Sequence, residues 1–161
     1  MSVALEPDNE AAALACLNEG CQAEKAHDWA AALVCYQRLL DLQPQAPPLR
    51  YFGHNNLAYV LIQLGRFDEA EHYCLAAIDI ENARHNAHKN LGLALLGQGR
   101  WLDGAMSLLD ATELATMDPR AWQHLKQLLA ARPGLLMESE VLNRRWQAVG
   151  KRVANEGLRV H

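Results

Sequence analysis

Apolar side chains recur along this chain at helical rather than strand spacing. His54, Leu57, Ala58 and Leu61 fall within about 100° of arc at 100° per residue, which predicts a helix with one core-facing stripe. Ala70-x3-Cys74-x2-Ala77 makes a second stripe, Leu91-x3-Leu95 a third and Leu125-x3-Leu129 a fourth. Between stripes the chain is punctuated. Gly65 and Gly99 permit the left-handed residue that commonly ends a helix. Asp118-Pro119 pairs a helix-capping carboxylate with a first-turn proline, so a helix starts there. After Pro133-Gly134 one more stripe appears, Leu142, Trp146, Val149 and Val153, predicting a helix to about Asn155 with Arg144, Arg145, Lys151 and Arg152 on its other sides. The pattern predicts a nearly all-helical chain of seven or eight helices.

The stripes are not independent. His54-x2-Leu57-Ala58-x2-Leu61 aligns with His88-x2-Leu91-Gly92-x2-Leu95 and with Trp122-x2-Leu125-Lys126-x2-Leu129, each at an offset of 34 residues. Gly65-Arg66-Phe67 matches Gly99-Arg100-Trp101 at the same offset, and Ala70-x3-Cys74-x2-Ala77 matches Gly104-x3-Leu108-x2-Ala111. An earlier, weaker copy ends in His27-Asp28-Trp29, Ala32-x3-Tyr36-x2-Leu39 and Pro44, while its opening half carries Cys16, Glu19 and Gly20 in place of the His, Leu and small residue.

This repeat resembles the tetratricopeptide repeat family, whose unit has the same length and the order W-x2-L-G-x2-Y, A-x3-F, P. The resemblance covers residues 13–46 (a degenerate unit), 51–84 and 85–118, plus the first helix of a fourth unit at 119–132. It implies an all-α fold, a short right-handed superhelical solenoid of antiparallel helix pairs. Around the units lie an N-terminal tail or helix start at 1–12, a Pro-rich linker at 47–50, a capping helix at 134–156 and a tail at 157–161. The sequence departs from the family pattern where the closing Pro becomes Asn82 and Thr116, and where four extra residues surround Pro47-Pro48.

Composition narrows the function. A chain of 161 residues that is 50% hydrophobic is not disordered, and its net charge of −4 argues against nucleic acid as a partner. The charge is uneven: residues 1–50 carry −4, residues 51–118 carry −5 and residues 119–161 carry +5. No apolar run approaches the roughly 20 residues needed to cross a bilayer, so no membrane insertion is expected. Met1 to Glu10 lacks the basic-then-apolar order of a signal peptide, and Cys16, Cys21, Cys35 and Cys74 show no metal or disulfide spacing, so a cytoplasmic protein with reduced thiols is expected. Only His85 and His88 share a helical turn, with no ligand set around them, and no nucleophile, P-loop or EF-hand motif is present. No metal, cofactor or enzymatic activity is expected; a metal protein or enzyme is the less favoured alternative.

The resemblance implies that the first helix of each pair lines a concave, peptide-binding groove. Phe52, Asn55, Tyr59 and Ile62 cluster within about 80° on the helix wheel, away from the core stripe. Their equivalents are Asn86, Lys89, Leu93 and Leu96, then Arg120, Gln123 and Gln127, with Leu14, Leu17, Cys21 and Glu24 in the first unit. Two readings stay open for Phe52 and Ile62, as groove anchors or as packing between repeats. The expected partner is another protein or peptide segment, and the ends of the array offer a route to self-association. Some members clamp acidic chaperone tails with Lys, Arg and Asn; Asn56 and Asn90 stand in one such slot, but Leu17, Cys21 and Asn86 replace the other clamp residues. Length and repeat count are also similar to those of chaperones for bacterial type III secretion translocators, which is the alternative within the same class.

Overall fold

The structure, a computed structural model, describes residues 7–157. Positions 1–6 and residues 158–161 of the expected tail at 157–161 lie outside the described residues, while Gly157 ends the last helix. Nine helices and no strand occur among the described residues: α1 (Pro7–Lys25), α2 (Trp29–Asp41), α3 (Pro47–Gln63), α4 (Phe67–Ile80), α5 (His85–Gly97), α6 (Trp101–Leu114), α7 (Pro119–Ala131), α8 (Leu135–Glu138) and α9 (Glu140–Gly157). None is long and apolar enough to cross a membrane. The chain divides into two compact units, Met1–Asn82 and Ala83–His161.

In the first unit α1 pairs with α2 and α3 with α4, while α3 also packs on α2 and α1. Leu57, Ala58 and Leu61 on α3 are buried, as are Ala70, Cys74 and Ala77 on α4. The turns between paired helices use one device. Gly65 has φ +73°, and the equivalent slot of the first pair is filled by His27 at φ 56°, a conformation that a side chain resists. Asp28 caps α2 by accepting a 3.0 Å bond from the Ala31 N–H. Residues 47–50, expected as a linker, are instead the first turn of α3. Proline suits that turn because its missing N–H would have no helical acceptor anyway. α1 begins at Pro7, within the segment 1–12 read as a tail or helix start.

In the second unit α5 pairs with α6, and α6 also packs against α7 and α9. The pair approaches closely: a Cβ on Gly92 would lie 3.1 Å from the Gly104 carbonyl oxygen, and a Cβ on Gly104 would lie 3.1 Å from that of Gly92. Gly99 turns the pair at φ +76°. Asp118 caps α7 through the Arg120 N–H at 3.0 Å. One core gathers Leu108, Leu109, Leu125, Leu128, Leu129, Leu142 and Val149, with Trp122, Trp146 and Val153 packed against it. The single C-terminal helix predicted for 134–156 is split at Ser139, which is extended (φ −134°, ψ 107°), and whose hydroxyl accepts from the Leu142 N–H at 3.1 Å. That split, between the one-turn α8 and the cap α9, raises the count to nine.

Candidate functional site

Each unit presents its own face of first helices, and the two faces differ chemically. In the first unit the side chains of α1, α2 and α3 meet around the Tyr36 hydroxyl. Tyr36 is wholly buried, and its ring lies over Gly20, where a Cβ would come within 2.4 Å of the ring edge. From there its O–H donates to Glu24 Oε1 at 2.5 Å and stands 3.5 Å from Cys21 Sγ. Asn56 Nδ2 donates to the Tyr36 oxygen at 3.4 Å, and Asn55 Nδ2 donates to Asn56 Oδ1 at 3.0 Å. Burial pushes the Glu24 carboxyl up, against the Tyr36 hydrogen bond. The Tyr36 hydroxyl is pushed far above its ordinary range, chiefly by burial and then by Glu24. One turn along α3, Tyr59 sets its ring edge-on to Trp29, centroids 6.0 Å apart.

The sequence-predicted residues of this unit do not all sit alike. Phe52, Tyr59 and Ile62 are half-buried, and the Phe52 ring meets Tyr51 edge-on at 5.4 Å. Asn55 is buried, at 8% exposure, so it belongs to the polar seam rather than to an open surface. Trp29 and Tyr36 were absent from the expected set, and Asn56 entered it only as a clamp slot. Tyr36 looks like an ordinary core residue of the second helix, and only Gly20, a small residue on the preceding helix, hints that its ring reaches across.

In the second unit Arg120 is exposed and its guanidinium is already directed. It binds Asp118 through Nε at 2.9 Å and Nη2 at 2.5 Å, and Nη2 reaches Asn86 Oδ1 at 3.1 Å. His85 Nε2 lies 2.9 Å from the same carboxylate, so this His serves the α7 cap, not a pairing with His88. The Arg120 hydrogen bonds, with smaller help from His85, hold the Asp118 carboxyl well below the usual carboxylate range. Leu93 is half-buried, and Gln123 is exposed beside Lys126, Gln127 and Ala130 along an open depression of about 300 Å³.

Two expected groove residues behave otherwise here. Lys89 is buried, at 9% exposure, and its charge adds to burial in lowering the His124 pKa. Leu96 turns inward, because Gly104 leaves a space that the Leu96 Cδ2 fills, 2.5 Å from where a Cβ would stand. A helix wheel gives the direction of a side chain but not what the neighbouring helix has vacated. No group of three or more His, Cys, Asp or Glu is placed to hold a metal among the described residues.

No curated protein sequence matches this chain. Among solved structures, the Arabidopsis OM64 TPR domain is 23% identical with a TM-score of 0.70, covering 76% of this chain and 98% of that one. The first TPR of Spaghetti (RPAP3), solved bound to the HSP90 peptide SRMEEVD, is 22% identical with a TM-score of 0.67, covering 76% and 94%. The TPR2B domain of yeast Sti1, solved as a complex with pHsp70, is 23% identical with a TM-score of 0.62, covering 73% and 92%. At such identities these likenesses speak for the fold alone. The tetratricopeptide repeat family model matches residues 17–87 and 55–119, more than half of the sequence. Together with the repeated helix pairs and their glycine-ended turns, that match makes this chain a member of the tetratricopeptide repeat family.

Proposed function

We propose that this protein is a non-enzymatic protein-interaction module that seats a segment of a partner protein on its first-helix faces. The observation that carries this reading is the double use of α3. Leu57, Ala58 and Leu61 are buried on one side, while Phe52, Tyr59 and Ile62 lie part-exposed on another. The fold covers these last side chains only in part, and aromatic anchors are what protein interfaces use. The second unit, taken by itself, carries Asn86, Leu93, Arg120 and Gln123, a more polar set.

Two structurally similar domains were solved with chaperone-derived ligands, which supports peptide capture as the mode. An acidic chaperone tail is not the ligand proposed here. The slots that would clamp it hold Leu17 and Cys21 in the first unit and Asn86 and Asn90 in the third. The test is affinity purification of the full chain from its native cell with identification of what is retained, followed by the same capture with Tyr59→Ala and Leu93→Ala. A partner retained by the wild type and lost by the folded variants supports the reading. Retention unchanged by both substitutions removes these faces from it.

A further inference from the structure

Glu24 is the one carboxylate in the polar seam of the first unit, and its surroundings are unusual. It is half-buried, yet its only partner among the described residues is the neutral Tyr36 hydroxyl, and no ion pair reaches it. A carboxylate has room for about four hydrogen bonds, and the exposed half of Glu24 is free to accept them from solvent or from a ligand. A part-desolvated anion normally recovers its lost hydration from a cation.

The unit has little to offer it. Residues 1–82 contain four basic groups against twelve acidic ones, −8 in all, whereas residues 83–161 contain eleven against seven, +4. Of the four, Lys25, Arg38 and Arg50 are exposed at other positions, and Arg66 is held by Glu69 at 2.6 Å. The side chains that share the seam, Cys21, Asn55 and Asn56, carry no charge. Along α3 the seam continues into Tyr59 and its edge-on partner Trp29, both half-buried. A half-buried carboxylate joined through Tyr36 and Asn56 to the helix that also carries Tyr59, in an acidic unit, favours a cation by charge, and the rings add their quadrupole where its stem reaches them.

We infer that the first unit selects partner segments carrying an arginine or lysine, whose charged head is seated on Glu24 with its stem against Tyr59 and Trp29. This rests on the protein-binding reading and names the chemistry of its ligand. Tyr36 is then a positioning residue: its O–H fixes one Glu24 oxygen and leaves the other to the ligand. The Asn56 amide, donating to Tyr36, holds the hydroxyl in that orientation.

The experiment is a binding screen of the full chain against an array of short peptides that differ at one position among Arg, Lys, Gln and Glu. Wild type is expected to select Arg or Lys over Gln by about tenfold, a preference that shrinks as salt is raised. Glu24→Gln should abolish the preference with its fold intact by circular dichroism, and Lys25→Gln should leave it. Tyr36→Phe should weaken the preference without reversing it. Peptides bound with no preference for a cation, or a preference that survives Glu24→Gln, would overturn this inference and leave the protein-binding reading standing. Binding of no peptide at all would overturn both.

Discussion

Gly92 and Gly104 face each other across the α5–α6 crossing so closely that a Cβ on either would lie 3.1 Å from the other's carbonyl oxygen. Two side chains occupy the space they leave, Leu108 beside Gly92 and Leu96 beside Gly104. Gly104→Val therefore has to move backbone as well as Leu96. We expect a loss of about 1–3 kcal/mol in urea unfolding, more than any gain in helix propensity returns. The equivalent slot on α4 is Ala70, fully buried, where Ala70→Trp should unfold the protein or leave it barely stable. Wild-type melting of either variant would show that these crossings are looser than drawn.

Trp122 and Trp146 stack with centroids 4.2 Å apart and planes at 22°, joining α7 to the cap. Beside them Arg145 bridges to α6, with Nη2 at 2.6 Å from Asp110 and 2.9 Å from Glu113. Trp146→Ala should cost about 3 kcal/mol, the low end for a truncated Trp because the ring is only half-buried. Deleting residues 134–161 should uncover Leu125, Leu128 and Leu129 and cause aggregation, read by light scattering. A monomeric truncation that melts like wild type would make the C-terminal helix dispensable.

His54 should make the protein sensitive to mild acid. Its pKa is lowered from the ordinary 6.5, first by burial and then by the charges of His72 and Arg50, and its Nδ1 is buried without a partner. The folded state thus resists a proton that the unfolded chain accepts, so stability falls as pH drops below about 6.5. His54→Phe keeps a ring against Tyr73 and removes the titration. Its unfolding free energy should fall less than that of wild type between about pH 7.5 and 5. Parallel curves for the two proteins would show that His54 is not the group responsible.

The turn at His27 invites a simple gain. The slot is glycine in the next two turns, and a non-glycine residue there carries a cost of about 1–2 kcal/mol. His27→Gly removes it, while losing the edge contact with Trp29 at 5.4 Å. A net stabilisation of about 0.5–1 kcal/mol is expected in thermal melts. A lower melting temperature would mean the ring contact outweighs the backbone relief.

Partner binding should respond to Tyr59→Ala and Leu93→Ala by about thirtyfold each, corresponding to about 2 kcal/mol for an interface anchor, with the helical spectrum unchanged. Lys89→Glu is a poor test, since at 9% exposure it would bury a new carboxylate and perturb folding. Lys89→Met keeps the stem and removes only the charge, so calorimetry on that variant isolates its electrostatic share. Affinities equal to wild type for the Tyr59 and Leu93 variants would move attention to the exposed basic residues of α9.

The period of 34 residues, the stripes through Leu57 and Leu61, the glycine-ended turns and the Asp118 cap were all legible in the chain itself. The period is read by comparing copies of the same segment, and the rest depend on residues within a few positions of one another, where helix geometry alone dictates who is neighbour to whom. The face of the first helices was legible only as a direction. Asn55 and Lys89, read as groove residues, are covered, and Leu96 was drawn inward by a vacancy opposite it on α6. The link from Tyr36 to Glu24 joins two helices through the gap above Gly20, and the break at Ser139 divides one amphipathic stripe into two helices. Such outcomes depend on how far apart packed helices lie and which side chains fill the gap, and that distance is set by tertiary packing, not by any local pattern.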